Sequence, residues 1–127
     1  MLVLGRVHGN EYCGTLAINN VINLIQNQLV NMTLGKVTFV PITNPLAAIK
    51  GTRNGDRNLN RAFYTKGSSK NDFEDELNDI LCPILEECDV LLDLHSFLNG
   101  VKPFALIGNT SGDEKAFIVN QEKVYTS

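Results

Sequence analysis

The sequence predicts an α/β fold, a mostly parallel β-sheet with helices on both faces. Short apolar runs open the chain and recur along it, two longer segments between them carry a helical apolar period, and the two kinds alternate. A strand followed by a crossover helix and another strand is the unit from which parallel sheets are built.

Residues 1–7 read as a buried strand, apolar through Leu2-Val3-Leu4 and closed by the turn at His8-Gly9. Residues 11–30 read as a helix. Leu16, Ala17, Val21, Leu24, Ile25 and Leu29 recur at spacings of three and four, which gives one face against a sheet, with Asn and Gln on the wet side. After a turn at Asn31-Met32-Thr33-Leu34-Gly35, residues 36–43 form a second strand with Val37, Phe39 and Val40 as β-formers. Pro41 marks that strand as an edge or as finishing there.

Residues 44–70 show no period of either kind and are long for a connection inside a compact domain, so they read as a functional loop or a disordered one. Residues 71–88 are a second helix, capped by Asn71 or Asp72, with acids near its positive end. Phe73, Leu77, Ile80, Leu81, Ile84 and Leu85 form its buried stripe, and Pro83 should kink or split it. Residues 89–95 are nearly all apolar, as a central parallel strand should be. A fourth strand is expected at 104–107, after a turn at Asn99-Gly100, and a short helix from Ser111, with Ser111 or Asp113 as its cap.

Composition bounds the rest. A chain of 127 residues, 43% hydrophobic and 20% charged, suits a single domain over 1–127 with its own core. The net charge of -3 argues against general nucleic-acid or anionic-membrane binding. No apolar run approaches a membrane span and no signal segment precedes the first strand, so a cytoplasmic location is the default expectation. Cys13, Cys82 and Cys88 are odd in number and lack Cys-x-x-Cys spacing, which favours reduced thiols. Cys82 and Cys88 are expected to face the core, and Cys13 to pack just past the first turn.

The two histidines of the chain, His8 and His95, each end a predicted strand. His8 and Glu11 are three apart, so they share a face if the helix begins at the turn. In open α/β sheets ligands bind beyond the carboxyl ends of the strands, where both histidines would lie if their strands run parallel. Two imidazoles and a carboxylate are a ligand set for catalytic zinc. A lone His-x-x-Glu pair is more commonly a solvated helix start; the second strand-terminal histidine raises the metal reading above it. Arg53, Arg57 and Arg61 recur every four residues and suggest a local anion pocket, since the planar guanidinium matches a carboxylate at two points. Three arginines on a solvated loop are the bland alternative.

Taken together, His8-Gly9-Asn10-Glu11, Asn44-Pro45-Leu46-Ala47, Arg53 with Asn58-Leu59-Asn60-Arg61-Ala62-Phe63, and Asp93-Leu94-His95-Ser96 resemble the succinylglutamate desuccinylase and aspartoacylase family, within the zinc carboxypeptidase-like folds. The resemblance runs to about residue 109. It implies one zinc ion per chain held by His8, Glu11 and His95, an Arg53 that polarises the scissile carbonyl and stabilises its oxyanion, and Asn60 and Arg61 on a substrate carboxylate. Asp93, two residues before His95 on the same strand face, is open to a role behind that ligand or to a buried or capping role.

The sequence departs from the family at two places. Asn58 stands where members usually carry an acid. The family's general base is a glutamate well beyond the zinc histidine, followed by a β-rich C-terminal part, whereas Glu114 and Glu122, the only glutamates after His95, sit in no such context. The expectation is therefore a truncated member that keeps the metal and carboxylate sites without the base. A positioned base contributes about 10²–10⁴-fold, so turnover by this chain alone should be weak or absent.

The leading functional expectation is a zinc-dependent hydrolase that cleaves the linear amide of a small acidic N-acyl amino acid. A zinc carboxypeptidase acting on peptides and a non-catalytic module that binds zinc or a carboxylate remain as alternatives. The acyl group and amino acid are not legible, and a sheet shortened in this way would expose edges that favour a homo-oligomer.

Overall fold

The computed structural model describes residues 1–61, 63–66, 69–97, 105–107 and 124–126. They fall into two compact units, Met1–Ser96 and Phe97–Ser127, described separately.

The first unit is built on strand β1 (Leu2–Gly5), which lies between β2 (Thr38–Val40) and β3 (Leu91–Leu94), with both pairings parallel. Every residue of β1 is buried, as a central parallel strand requires. Leu2 and Leu4 join Val7, Leu59 and Leu81 in the core, with Leu77, Ile84 and Leu85 packed against them. Helix α3 (Phe73–Glu86) therefore covers that face. Side chains alternate along a strand, so Val3 and Gly5 look the other way. There a Cβ on Gly5 would come within 2.9 Å of the Gly14 carbonyl carbon and 3.0 Å of Ile18 Cδ1, so helix α1 (Cys13–Gln26) covers the second face. β2 is an edge strand that stops just before Pro41, as that proline led one to expect.

The buried side of α1 differs from the expected stripe. Gly14 and Ile18 are its buried residues, whereas Leu16 is 68% exposed and Val21 and Leu29 are also exposed. The stripe counts apolar side chains, but the closest approach of this helix occurs where a side chain is missing. α1 also starts later than expected. His8 and Glu11 sit in a turn before it, closed by the Glu11 N–H donating to the His8 carbonyl at 3.1 Å. Cys82 is buried and Cys88 half-buried, as expected, but Cys13 is exposed; all three are free thiols.

The segment expected to be a loop, 44–70, contains helix α2 (Pro45–Lys50) and a 3-10 turn, Leu59–Arg61. The Asn44 side chain caps α2 by accepting the Ala47 N–H at 3.0 Å, Pro45 opens it, and Gly51 ends it at φ 65°. These are ordinary start and stop residues, but six residues are too few to show a period.

α3 begins on Asp72, whose carboxylate accepts the Asp75 N–H at 2.8 Å, and runs through Pro83 to Glu86 without being split. Proline removes a single helical N–H donor, and only the final turn follows it. Ile80, expected in the core, is 64% exposed. Glu74 and Asp75, two of the acids expected in the first turn, are buried and bind the segment before the 3-10 turn. Glu74 accepts the N–H groups of Asp56 (3.1 Å to Oε2) and Arg57 (3.2 Å) and the Asn44 amide (2.9 Å). Asp75 accepts the Asn71 N–H at 2.9 Å and pairs with Lys66 and Arg57 at 3.0 Å each. Arg57 also pairs with Asp72 at 3.0 Å, so it is a strut between loop and helix and not a member of an anion pocket.

In the second unit, β4 (Ala105–Ile107) pairs in parallel with β5 (Val124–Thr126). β4 matches the expected fourth strand. The expected turn at Asn99-Gly100 and the helix from Ser111 lie outside the described residues. Among the described residues no helix is long and apolar enough to cross a membrane.

Asp75 yields a pH prediction. The Asn71 N–H, with Lys66 and Arg57, holds its carboxyl down to about 2 from the ordinary 3.8. A carboxyl depressed by folding stabilises the fold above its unfolded value, and that contribution is lost as pH falls through the folded one. Asp75→Asn should be less stable than wild type at pH 7, and the gap should close between about pH 4 and about pH 2. Denaturant titrations followed by circular dichroism across that range would measure it.

Candidate metal centre

The turn that carries His8 and Glu11 is shaped by its neighbours. Arg6 takes a left-handed backbone conformation, φ 56°, that redirects the chain as it leaves β1. Its guanidinium donates to the Gly9 carbonyl at 2.8 Å and stacks on the Tyr12 ring 4.4 Å from the centroid. Gly9 packs directly against α2, where a Cβ would overlap the Ala47 carbonyl; only glycine allows that approach. The Gly9 N–H donates to the Arg53 carbonyl at 3.3 Å, which places Arg53 beside the turn.

His95 follows β3, and the parallel register that sets Gly5 beside Leu94 brings it to the same end of the sheet. His8, Glu11 and His95 therefore meet, as the strand-terminal histidines led one to expect. One ligand atom from each lies within 4.8 Å of the others. His8 Nδ1 is 2.8 Å from Glu11 Oε1, and His95 Nδ1 is 3.0 Å from Oε2. The ring centroids are 4.9 Å apart.

The outer nitrogens show which inner atoms are free to coordinate. His95 Nε2 lies 2.7 Å from Asp93 Oδ2, and His8 Nε2 lies 3.1 Å from Asn58 Oδ1. Asn58 Oδ1 can only accept, so His8 Nε2 carries the proton and His8 Nδ1 presents a lone pair toward Glu11, whereas His95 stands between two carboxylates, hydrogen-bonded through Nε2 to Asp93 and through Nδ1 to Glu11 Oε2 at 3.0 Å. His8 Nδ1 is buried and, despite its 2.8 Å distance from Glu11 Oε1, is out of line for a hydrogen bond. Two imidazole nitrogens, the buried one of His8 and the more exposed one of His95, facing one carboxylate form a donor set that suits a divalent cation such as zinc.

The surroundings set the ionisation of all three groups. Burial is the largest influence on His8 and lowers its pKa, against the pull of Glu11. Burial opposes ionisation of Glu11, but the Ser96 N–H at 2.8 Å and the two imidazoles outweigh it, and its pKa is lowered. The Asp93 hydrogen bond raises the pKa of His95.

Of the arginines, Arg53 reaches the cluster, with its guanidinium 2.8 Å from Glu11 Oε1 and its side chain 52% exposed. Asn60 is tied in through its backbone N–H, which donates to Asn58 Oδ1 at 3.0 Å. Arg61 is exposed and donates to the Asn60 carbonyl at 3.3 Å; no contact joins it to the three cluster residues. Asn58, Arg6 and the Ser96 N–H were not singled out as parts of the site by sequence. Asp93 was legible from its spacing, whereas Asn58 is 50 residues from His8 and no local pattern joins them.

A parallel α/β unit with a His-Glu-His group at the carboxyl end of its sheet defines the class of protein. Residues 1–117 match the succinylglutamate desuccinylase/aspartoacylase catalytic domain. An aspartoacylase from Danio rerio is 34% identical over 105 residues, covering 74% of this chain and 32% of that protein. Among solved structures, an aspartoacylase family protein from Mesorhizobium loti superposes with a TM-score of 0.75 at 27% identity, over 91% of this chain and 37% of its own. A succinylglutamate desuccinylase from Vibrio parahaemolyticus shares the fold, with a TM-score of 0.68 at 23% identity, over 83% of this chain and 38% of its own. The chain belongs to the succinylglutamate desuccinylase/aspartoacylase family and spans about a third of the length of these relatives.

The packing at Gly9 makes a prediction. Gly9→Ala forces the turn away from α2 and should cost about 1–3 kcal/mol or more, the range for overpacked interiors. Urea denaturation of the variant beside wild type would measure it, and an unchanged midpoint would contradict the contact.

Proposed function

We propose that this chain contributes the zinc-binding and carboxylate-binding part of a hydrolase that cleaves the linear amide of small acidic N-acyl amino acids. The observation that carries the reading is the convergence of His8 Nδ1, His95 Nδ1 and the Glu11 carboxylate, with both Nε2 atoms already engaged. Membership of the family supports the reaction class.

His8, Glu11 and His95 would hold the ion. Zinc supplies Lewis-acid polarisation of a carbonyl and a source of hydroxide near neutral pH. Arg53, exposed and at the edge of the cluster, has the reach to donate to a carbonyl oxygen as negative charge develops there. Loss of one such donor costs about 10²–10³ in rate in other enzymes. Asn60 and Arg61 lie on the 3-10 turn beside Asn58, where the amide and the guanidinium fork can take a substrate carboxylate at two points.

The test is elemental analysis of the purified chain after dialysis. About one zinc per chain is expected, lost in His95→Ala while its circular dichroism stays native. A folded wild-type chain that takes up no zinc even when it is supplied would sink the reading. Arg61→Ala should weaken binding of a small dicarboxylate by roughly tenfold, as expected for a lost charge-assisted contact, and leave zinc content unchanged. Calorimetry on the zinc-loaded chain would show this; unaltered affinity would remove Arg61 from the carboxylate site.

A further inference from the structure

We infer that Asn58 is a positioning residue whose one side-chain oxygen fixes the His8 imidazole and at the same time ties it to the Asn60-Arg61 segment. The inference rests on the zinc reading above for its consequence, though not for its geometry.

Asn58 Oδ1 receives two donors, the Asn60 N–H at 3.0 Å and His8 Nε2 at 3.1 Å. A backbone N–H can only donate, so the atom facing it must be the amide oxygen, and the orientation of the Asn58 side chain is settled without reference to the histidine. An oxygen held there demands a proton from Nε2. The imidazole is thereby locked as the Nε2–H tautomer, with the Nδ1 lone pair facing Glu11. Because His8 is only 1% exposed, water has no ready access to replace the amide.

The two histidines are held in unlike ways. His95 leans on the Asp93 carboxylate from its own strand, a partly exposed pair two residues apart. His8 depends on a neutral amide 50 residues away. That amide is placed by the loop whose N–H groups at Asp56 and Arg57 are gripped by Glu74. Readiness of His8 to bind a metal therefore follows the position of the same segment that carries Asn60 and Arg61, while readiness of His95 does not. An acidic residue at this position would make the same hydrogen bonds with added charge, so the role belongs to the oxygen acceptor.

The experiment uses the whole chain with histidine nitrogens labelled, and compares wild type with Asn58→Leu and Asn58→Asp. In the metal-free chain, long-range nitrogen–proton spectra should show His8 as the Nε2–H tautomer in wild type and Asn58→Asp. Asn58→Leu should lose that signature at His8, with His95 unchanged as the internal control. Competition with a chromophoric chelator should show zinc affinity falling about 10–100-fold in Asn58→Leu, the usual effect of removing such a partner, and recovering in Asn58→Asp.

An unchanged His8 tautomer and zinc affinity in Asn58→Leu would overturn the inference, as would an Asn58→Asp chain as impaired as Asn58→Leu. Should Asn58→Leu fail to fold, Asn58→Asp decides alone, because a shift of His8 to the Nδ1–H form there contradicts the acceptor role. A wild-type chain that binds no zinc defeats the functional reading, while the tautomer comparison in the metal-free chain still decides the role of Asn58.

Discussion

The carboxylate of Glu11 is the constraint around which the rest of the site is arranged. It is buried, and a buried charge is tolerated only where it is paired and hydrogen-bonded. The Ser96 N–H, His95 and Arg53 hydrogen-bond to it, and His8 lies against it. They come from a turn after β1, the end of β3 and the loop after α2. One side chain thus requires three distant stretches of sequence to be in register, and the parallel pairing of β1 with β3 is what makes this geometrically available.

A second buried acid does comparable work further from the chemistry. Glu74 gathers two backbone N–H groups and the Asn44 amide, and Asn44 in turn caps α2. Helix α2 packs on Gly9, and the gripped loop delivers Arg53, Asn58 and Asn60. The polar interior of this unit thus links the start of α3 to His8 through hydrogen bonds and the short stretch of main chain from Asp56 to Asn58. Such a network is stable only when every member is satisfied, so substitutions at Glu74 or Asn44 act on stability and on the site together.

Legibility of these features in the sequence followed physical range. The parallel architecture was readable because apolar periods are local, and His8, Glu11 and His95 were readable because strand ends and short spacings are local too. The buried side of α1 was misread because Gly14 contributes to packing by lacking a side chain, which a hydrophobic pattern cannot register. α2 was missed because six residues are shorter than the window in which a period can be seen, although Asn44, Pro45 and Gly51 punctuate it correctly. The burial of Glu74 and Asp75 was invisible because acids at a helix start are usually solvated, and nothing nearby in sequence announces that Arg57 and the backbone at 56–57 will meet them.

The floor beneath the histidines is packed differently from the rest of the core. A Cβ on Gly14 would lie 3.0 Å from Leu94 Cβ and 3.1 Å from the Gly5 α-carbon, so α1, β1 and β3 meet there almost main chain to main chain. Such a junction contains hardly any rotatable bonds. Side chains elsewhere in the core can exchange rotamers or be trimmed, and the resulting slack is absorbed locally, whereas a joint of this kind has no slack to distribute. Gradual sequence drift in the surrounding core would then lower the melting point of the unit long before it altered the spacing between the two imidazoles.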